Sequence, residues 1–84
     1  MMDVRSEVEK IFARILDDDK VVFTDSMQAR DVSGWNSLNH MRIIVEIEKK
    51  FAVNFKPKEV VALNNFGELI GLVTSKLSLS TKSS

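Results

Sequence analysis

Apolar residues recur at helical spacing in three stretches of the chain, and the first stretch spans residues 4–16. Its apolar positions fall at i, i+4, i+7, i+8, i+11 and i+12; they are Val4, Val8, Ile11, Phe12, Ile15 and Leu16. A stripe of this kind is typical of an amphipathic helix that buries one face. The acids of "DDDK" follow directly and oppose the negative end of a helix dipole, so we predict that the helix ends there.

The second stretch predicts a helix over residues 37–51. Its apolar face consists of Leu38, Met41, Ile44, Val45, Ile47 and Phe51, and Ile43 widens it. The β-branched run at residues 43–45 is also compatible with a strand. The spacing on either side of that run and the ending "EIEKK", with its acid–base pairs three and four residues apart, favour the helix.

A short helix and a last long helix are predicted in the remainder of the chain. Pro57 suits the first turn of a short helix over about residues 58–62. In "NNFGEL", Asn65 and Glu68 have the spacing of a capping box that opens the last helix. The apolar stripe of that helix follows at helical spacing; it consists of Phe66, Leu69, Ile70, Val73 and Leu77.

Residues 19–36 show no sustained period and predict a long loop, a length that is uncommon and often functional. Its scattered apolar residues are expected to pin it to the helices, and a short helical turn around residues 26–30 is compatible with the pattern. The fold class is therefore all-α: a small four-helix bundle of three main helices and one short helix. We expect a single domain over residues 1–78 and a flexible polar tail over residues 79–84.

Composition narrows the classes of function. The 84 residues are 44% hydrophobic and 29% charged, as in a folded domain. The twelve acids balance the twelve bases, so nucleic acid is not an expected partner. The chain lacks a long apolar run and an apolar leader, so we expect a cytoplasmic protein without membrane insertion. We also expect it to be a monomer. Without cysteine it has no disulfide, zinc-thiolate site or cysteine nucleophile.

Three local features could carry chemistry, and each has a simpler explanation. Ser37 and the single histidine, His40, could form a hydrolytic dyad, but they lack a third group and an oxyanion hole, and a solvent-facing His40 is favoured. The acids Asp17, Asp18, Asp19 and Asp25 lack the spacing and the glycine of a calcium loop, so no metal site is predicted. Trp35 could contact a partner, but packing where the loop meets the helix is favoured.

Ser37 stands at the start of the second helix, where serine is commonly a cap. Asn36 could be the cap instead, which would leave Ser37 at the first helical position with its hydroxyl facing solvent. A helix N-terminus presents unpaired N–H groups and the positive end of the dipole, so it tolerates a phosphate. The position therefore permits a phosphodiester on Ser37 without identifying the attached group.

The run "WNSLNHMRIIVEIEKKF" resembles the signature of the acyl carrier proteins, in which D-S-L opens the second helix and an acid-rich "E-x-x-F" ending closes it. "FKPKEV" resembles the approach to the family's third helix, and "LNNFGELI" resembles the start of its fourth, so the resemblance covers about residues 4–78. It implies a discrete carrier rather than an enzyme. Such a carrier holds acyl intermediates as thioesters and presents them to enzymes of a fatty-acid, polyketide or other specialised pathway.

The resemblance also implies roles for particular residues. Ser37 would carry 4′-phosphopantetheine, transferred from coenzyme A by a phosphopantetheinyl transferase, and the cofactor's thiol would account for the absence of cysteine. Partner enzymes (acyltransferases, ketosynthases or acyl-ligases) would bind Asn36, Leu38, Met41, Arg42 and Val45, and Leu38 would also anchor the start of the helix. An acyl-chain cleft would be lined by Ile44, Ile47, Val61 and Leu63.

The sequence departs from the family pattern in two ways. Asn36 stands where the family has an aspartate, which implies a transferase with looser demands; an unmodified helical interaction module of the same fold remains the alternative. The second helix is also near neutral, whereas free-standing carriers are strongly acidic. Because charge complementarity governs association rate and partner choice, this favours a specialised carrier over the housekeeping carrier of fatty-acid synthesis.

Overall fold

The described part of the chain folds into four α-helices, with one long loop between the first two and short connections between the others. The computed structural model describes the backbone of residues 3–18 and 20–82, and side chains up to residue 78. The helices are α1 (Val4–Leu16), α2 (Ser37–Phe51), α3 (Pro57–Val61) and α4 (Phe66–Lys82), and one 3₁₀ turn, Ala29–Asp31, interrupts the loop. The described residues form no strand, so the predicted all-α bundle with three main helices and one short helix is confirmed.

The long helices end and begin where their sequence signals lie. After α1, Asp17 adopts a left-handed conformation with φ 54° and donates its N–H to the carbonyl of Ala13, which closes the helix at the predicted acidic run. At the start of α4, the Asn65 side chain accepts a hydrogen bond from the Glu68 N–H at 2.8 Å. The Glu68 carboxylate in turn accepts from the Asn64 N–H at 2.9 Å, one residue earlier than a standard capping box.

The core is apolar and is organised around Phe12 of α1. Its ring meets those of Phe23, Trp35 and Phe66 edge-on, with centroid distances of 5.2, 4.9 and 5.3 Å. Ile43 and Ile47 of α2 are fully buried beside this group. Among the described residues no polar side chain is buried, so burial of apolar area holds the bundle together.

The long loop is fastened to the start of α4 through backbone hydrogen bonds. Phe66 donates its N–H to the carbonyl of Met27 at 2.8 Å, and Gly67 donates to that of Asp25 at 2.9 Å. These bonds satisfy N–H groups that the first turn of a helix cannot satisfy internally. The apolar loop residues Phe23, Val32 and Trp35 are buried, as expected, whereas Val22 is 80% exposed and does not pin the loop.

The predicted apolar face of α2 is in fact two faces. Four side chains enter the core; they are Ile43, Ile44, Ile47 and Phe51. Leu38, Met41 and Val45 point outward and are 65%, 51% and 41% exposed. The expectation that Leu38 anchors the start of the helix is therefore wrong, because its side chain lies in solvent.

The last helix extends past the predicted end of the domain. The backbone is helical to Lys82, while residues 83–84 lie outside the described residues, and the flexible tail over residues 79–84 stays a prediction. Among the described helices, none combines the length and the apolar character needed to cross a membrane.

Candidate functional site

Asn36, rather than Ser37, caps α2. The Asn36 Oδ1 atom accepts a hydrogen bond from the Asn39 N–H at 2.9 Å, and the Asn39 side-chain amide donates to the carbonyl of Gly34 at 2.8 Å. Gly34 has φ 87°, a conformation that is strained for any residue with a Cβ. These two hydrogen bonds connect the turn at Gly34 to the first turn of α2, and they fix the point at which α2 begins.

Ser37 is consequently the first residue of α2, and its side chain is exposed. Within the described part of the chain, the Ser37 hydroxyl makes no hydrogen bond. The first turn of α2 contains no acidic residue, so the positive end of the helix dipole is not neutralised there. An exposed hydroxyl at such an end fits a phosphodiester well, because the nearby N–H groups and the dipole both favour an anion.

A cavity of about 540 Å³ opens beside Ser37. His40 and Met41 line it from α2, Trp35 lines it from the loop, and Val61 and Leu63 line it from the opposite side, at and after the end of α3. Two of the four predicted cleft residues, Val61 and Leu63, are therefore brought next to Ser37. The other two, Ile44 and Ile47, are not among the lining residues; they are 2% and 0% exposed in the core. The acyl-chain role of all four stays a prediction.

Trp35 and His40 form a hydrogen-bonded pair in the wall of this cavity. The indole Nε1–H of Trp35 donates to Nδ1 of His40 at 3.0 Å, and the two rings stack with centroids 6.0 Å apart. The expectation of a solvent-facing His40 is wrong, since the ring is half-buried between the loop and α3. The expected packing of Trp35 is confirmed. The sequence did not predict this pair, because Trp35 precedes the Asn36 cap and His40 follows it, and their contact depends on the three-dimensional path of the chain.

The environment of His40 favours the neutral imidazole. Burial lowers the pKa of His40 below its ordinary value of 6.5, and a hydrogen bond with the backbone of Val60 opposes that effect. Because Nδ1 accepts from Trp35, the neutral ring carries its hydrogen on Nε2. Among the described contacts, none joins Ser37 to His40, so the hydrolytic dyad lacks its first requirement.

The outward face of α2 combines apolar side chains with a cation. Leu38, Met41, Arg42 and Val45, all predicted partner-binding residues, lie on this face, and all four are exposed. A shallow groove between α1 and α2 is lined by Met41, Arg42 and Val45.

The two acids of α2 are engaged within the fold. Glu46 pairs with Arg14 of α1 at 2.8 Å, and the Glu48 carboxylate accepts from the Phe55 N–H at 2.9 Å. Arg42 has no ion pair among the described residues. The charge available to a partner on this face is therefore positive.

The acids near the end of α1 do not assemble into a metal site within the described residues. Asp17 and Asp18 are exposed, and Asp25 pairs with Arg5 of α1. Asp19 lies outside the described residues.

Comparison with known proteins agrees with this geometry. The protein family described as "Phosphopantetheine attachment site" matches residues 6–73 of the chain. The solution NMR structure of a holo acyl carrier protein from Geobacter metallireducens superposes with a TM-score of 0.89 and shares 34% sequence identity. The match covers 99% of this chain and 95% of that one. The chain belongs to the acyl carrier protein family, whose members carry covalently bound phosphopantetheine.

Proposed function

We propose that this protein is a discrete acyl carrier whose 4′-phosphopantetheine is attached to Ser37. One observation carries the proposal: Asn36 takes the capping role, which leaves the Ser37 hydroxyl exposed and without a hydrogen bond at the start of α2. The cavity beside that hydroxyl offers apolar walls to whatever the arm carries. The terminal thiol of the arm supplies the thioester link to the cargo, in a chain that has no cysteine of its own.

The attachment is a phosphoryl transfer in which Ser37 is the nucleophile. The hydroxyl oxygen forms a bond to the phosphorus that bears the pantetheine of coenzyme A. The bond from that phosphorus to the remaining nucleotide breaks, and 3′,5′-ADP leaves. The serine proton passes to a base of the transferase, since no base among the residues that the structure describes is hydrogen-bonded to Ser37. The product is a phosphodiester at the positive end of α2.

We propose further that partner enzymes dock on the outward face of α2, next to the attachment point. Leu38, Met41 and Val45 supply exposed apolar area, and Arg42 supplies the free charge. Burial of exposed apolar area favours association, whereas charges at the rim mainly set association rate and partner choice. A cationic docking face suits a dedicated set of partners in a specialised fatty-acid, polyketide or other acyl pathway.

The test is modification by a promiscuous phosphopantetheinyl transferase. The protein is incubated with coenzyme A and the enzyme, and its intact mass is recorded. We expect a gain of one phosphopantetheine for the wild type and for Ser33→Ala, which removes another exposed serine close to α2. We expect no gain for Ser37→Ala.

The second candidate is an unmodified interaction module of the same fold. The exposed apolar face of α2 favours it, because that face could bind a protein without any arm. An unchanged mass with several broad transferases would support this candidate and reject the carrier. A mass gain that persists in Ser37→Ala would reject the assignment of the attachment site.

A further inference from the structure

On the inner side of α2, His40 lies between the surface cavity and the buried core. Ser37, His40, Ile44 and Ile47 are three or four positions apart, so they follow one another along one side of the helix. Ser37 and His40 line the surface cavity, whereas Ile44 and Ile47 lie in the core with almost no exposed surface. A chain that leaves Ser37 and follows α2 inward meets the imidazole before it meets either isoleucine.

The imidazole lies between the loop and α3 at this boundary. On one side, Nδ1 accepts the indole N–H of Trp35, whose ring lies edge-on against the buried Phe12 at 4.9 Å. On the other side, Val60 and Val61 of α3 line the same cavity as His40. The side chain therefore lies between the loop and α3, at the space through which the core would be reached.

We propose that His40 is a gate that confines the cargo of this carrier to acyl groups short enough to remain in the outer cavity. The inference rests on the function proposed for Ser37. A longer hydrocarbon chain could enter between α2 and α3 only by displacing the imidazole. Displacement would leave the part-buried indole N–H of Trp35 without its acceptor, which is unfavourable. Val61 and Leu63 remain available as the outer walls for a short group.

The test compares carriers loaded with butyryl, octanoyl and dodecanoyl pantetheine from the corresponding acyl-coenzyme A. Loading is verified by intact mass, and thermal unfolding and the emission of Trp35, the single tryptophan, are then recorded. In the wild type we expect unfolding midpoints that are the same for all three cargoes within about 2 °C, with unchanged emission. In His40→Ala, the dodecanoyl form should unfold at least roughly 5 °C above the butyryl form, because the added methylenes become buried.

Two further variants separate the gate from a general effect of substitution. His40→Phe keeps the bulk of the ring but removes the acceptor of the Trp35 N–H, so moving the ring no longer breaks that hydrogen bond. Its dodecanoyl form should therefore unfold above its butyryl form, by less than in His40→Ala. Lys49→Ala changes an exposed residue of α2 and should leave the pattern of the wild type unaltered. If His40→Ala does not unfold cooperatively, His40→Asn serves instead, since it retains an acceptor near the Nδ1 position and removes the outer half of the ring.

The outcomes distinguish this proposal from the one on which it rests. Stabilisation of the wild type that rises with chain length as steeply as in His40→Ala would overturn the gate and leave the carrier function intact. Equal midpoints for all cargoes in the opening variant, His40→Ala or its replacement His40→Asn, would overturn it as well. Failure of every acyl-coenzyme A to add mass at Ser37 would overturn the carrier function, and the gate with it.

Discussion

The indole N–H of Trp35 donates to Nδ1 of His40 over 3.0 Å, and the planes of the two rings lie 29° apart. These are the single tryptophan and the single histidine of the chain. The bond joins the end of the long loop to the first turn of α2, next to Ser37. It requires a neutral His40, because a protonated Nδ1 is a donor and cannot accept the indole hydrogen.

We therefore predict that acid weakens the fold through His40. Burial lowers the pKa of His40 in the folded state, and the hydrogen bond with the Val60 backbone only partly opposes this. Between that lowered pKa and the ordinary value of 6.5, the unfolded chain binds more protons than the folded chain. The stabilisation is thus fully present above pH 6.5 and is lost as the pH falls through the folded pKa. Urea unfolding followed by Trp35 emission across this range measures the effect.

His40→Gln is the control for the pH dependence, because glutamine cannot gain a proton in this range. The variant should show a flat free energy of unfolding where the wild type declines. Two glutamates also have lowered pKa values. Hydrogen-bonded ion pairs with Lys50 and Lys10 lower the pKa of Glu7. A hydrogen bond from the Lys56 backbone and an ion pair with Lys76 lower the pKa of Glu59. Their contributions are lost only as the pH falls below their ordinary value of 4.5. An equal decline in wild type and variant above that value would contradict the assignment to His40.

The sequence predicted the helices well because their signals are local. These signals are the 3.6-residue period, Pro57 and the Asn65–Glu68 spacing. Each acts within a few residues, and each helix that they indicate is present. The two faces of α2 could not be separated in this way, because the partition depends on where α1 and the loop pack. The environment of His40 was missed for the same reason, since the cavity that it lines is also lined by Val60 of a different helix.

Two glycines of α4 should respond in opposite directions to replacement by alanine. A Cβ on Gly67 would lie 2.8 Å from the Cβ of Asp25 and 3.0 Å from its carbonyl oxygen, where the loop is hydrogen-bonded to the helix. Gly67→Ala should therefore lower the free energy of unfolding by about 1–3 kcal/mol. A Cβ on Gly71 meets nothing within 4 Å, so Gly71→Ala should raise that energy by about 0.5–1 kcal/mol. Urea unfolding of both variants is the measurement, and shifts of the same sign would contradict the close approach of loop and helix.

The division of α2 into an inward and an outward face predicts a contrast between Ile47 and Leu38. Ile47 is fully buried, so Ile47→Ala should cost about 2–5 kcal/mol of stability. Leu38 is 65% exposed, so Leu38→Ala should change stability by less than about 0.5 kcal/mol.

Leu38→Ala should instead act on docking. We expect it to lower kcat/KM for phosphopantetheine transfer roughly tenfold, which corresponds to the loss of a contact of about 1.4 kcal/mol. Transfer kinetics and urea unfolding on the same preparation separate the two effects. A large loss of stability in Leu38→Ala, with an unchanged transfer rate, would show that this side chain belongs to the core rather than to a docking face.

Asn36→Asp should leave the fold intact and accelerate modification of Ser37. Aspartate caps a helix about as well as asparagine does, so the bond to the Asn39 N–H is retained. Its charge also faces the positive end of α2 and should raise stability by about 0.3–1 kcal/mol. Since no other acid stands in the first turn of α2, the variant restores the charge that the family presents beside its attachment serine.

The two contributions of residue 36 can be separated by salt and by a second variant. If the new charge acts by attracting the transferase, the gain in kcat/KM should shrink as ionic strength rises, because exposed charges are screened over about 10 Å at 0.1 M salt. Asn36→Ala removes the cap without adding charge and should lower stability by about 1 kcal/mol. Equal modification rates for the wild type and Asn36→Asp at low salt would mean that the transferase reads the shape of this helix end and not its charge. The asparagine would then be no obstacle to loading Ser37.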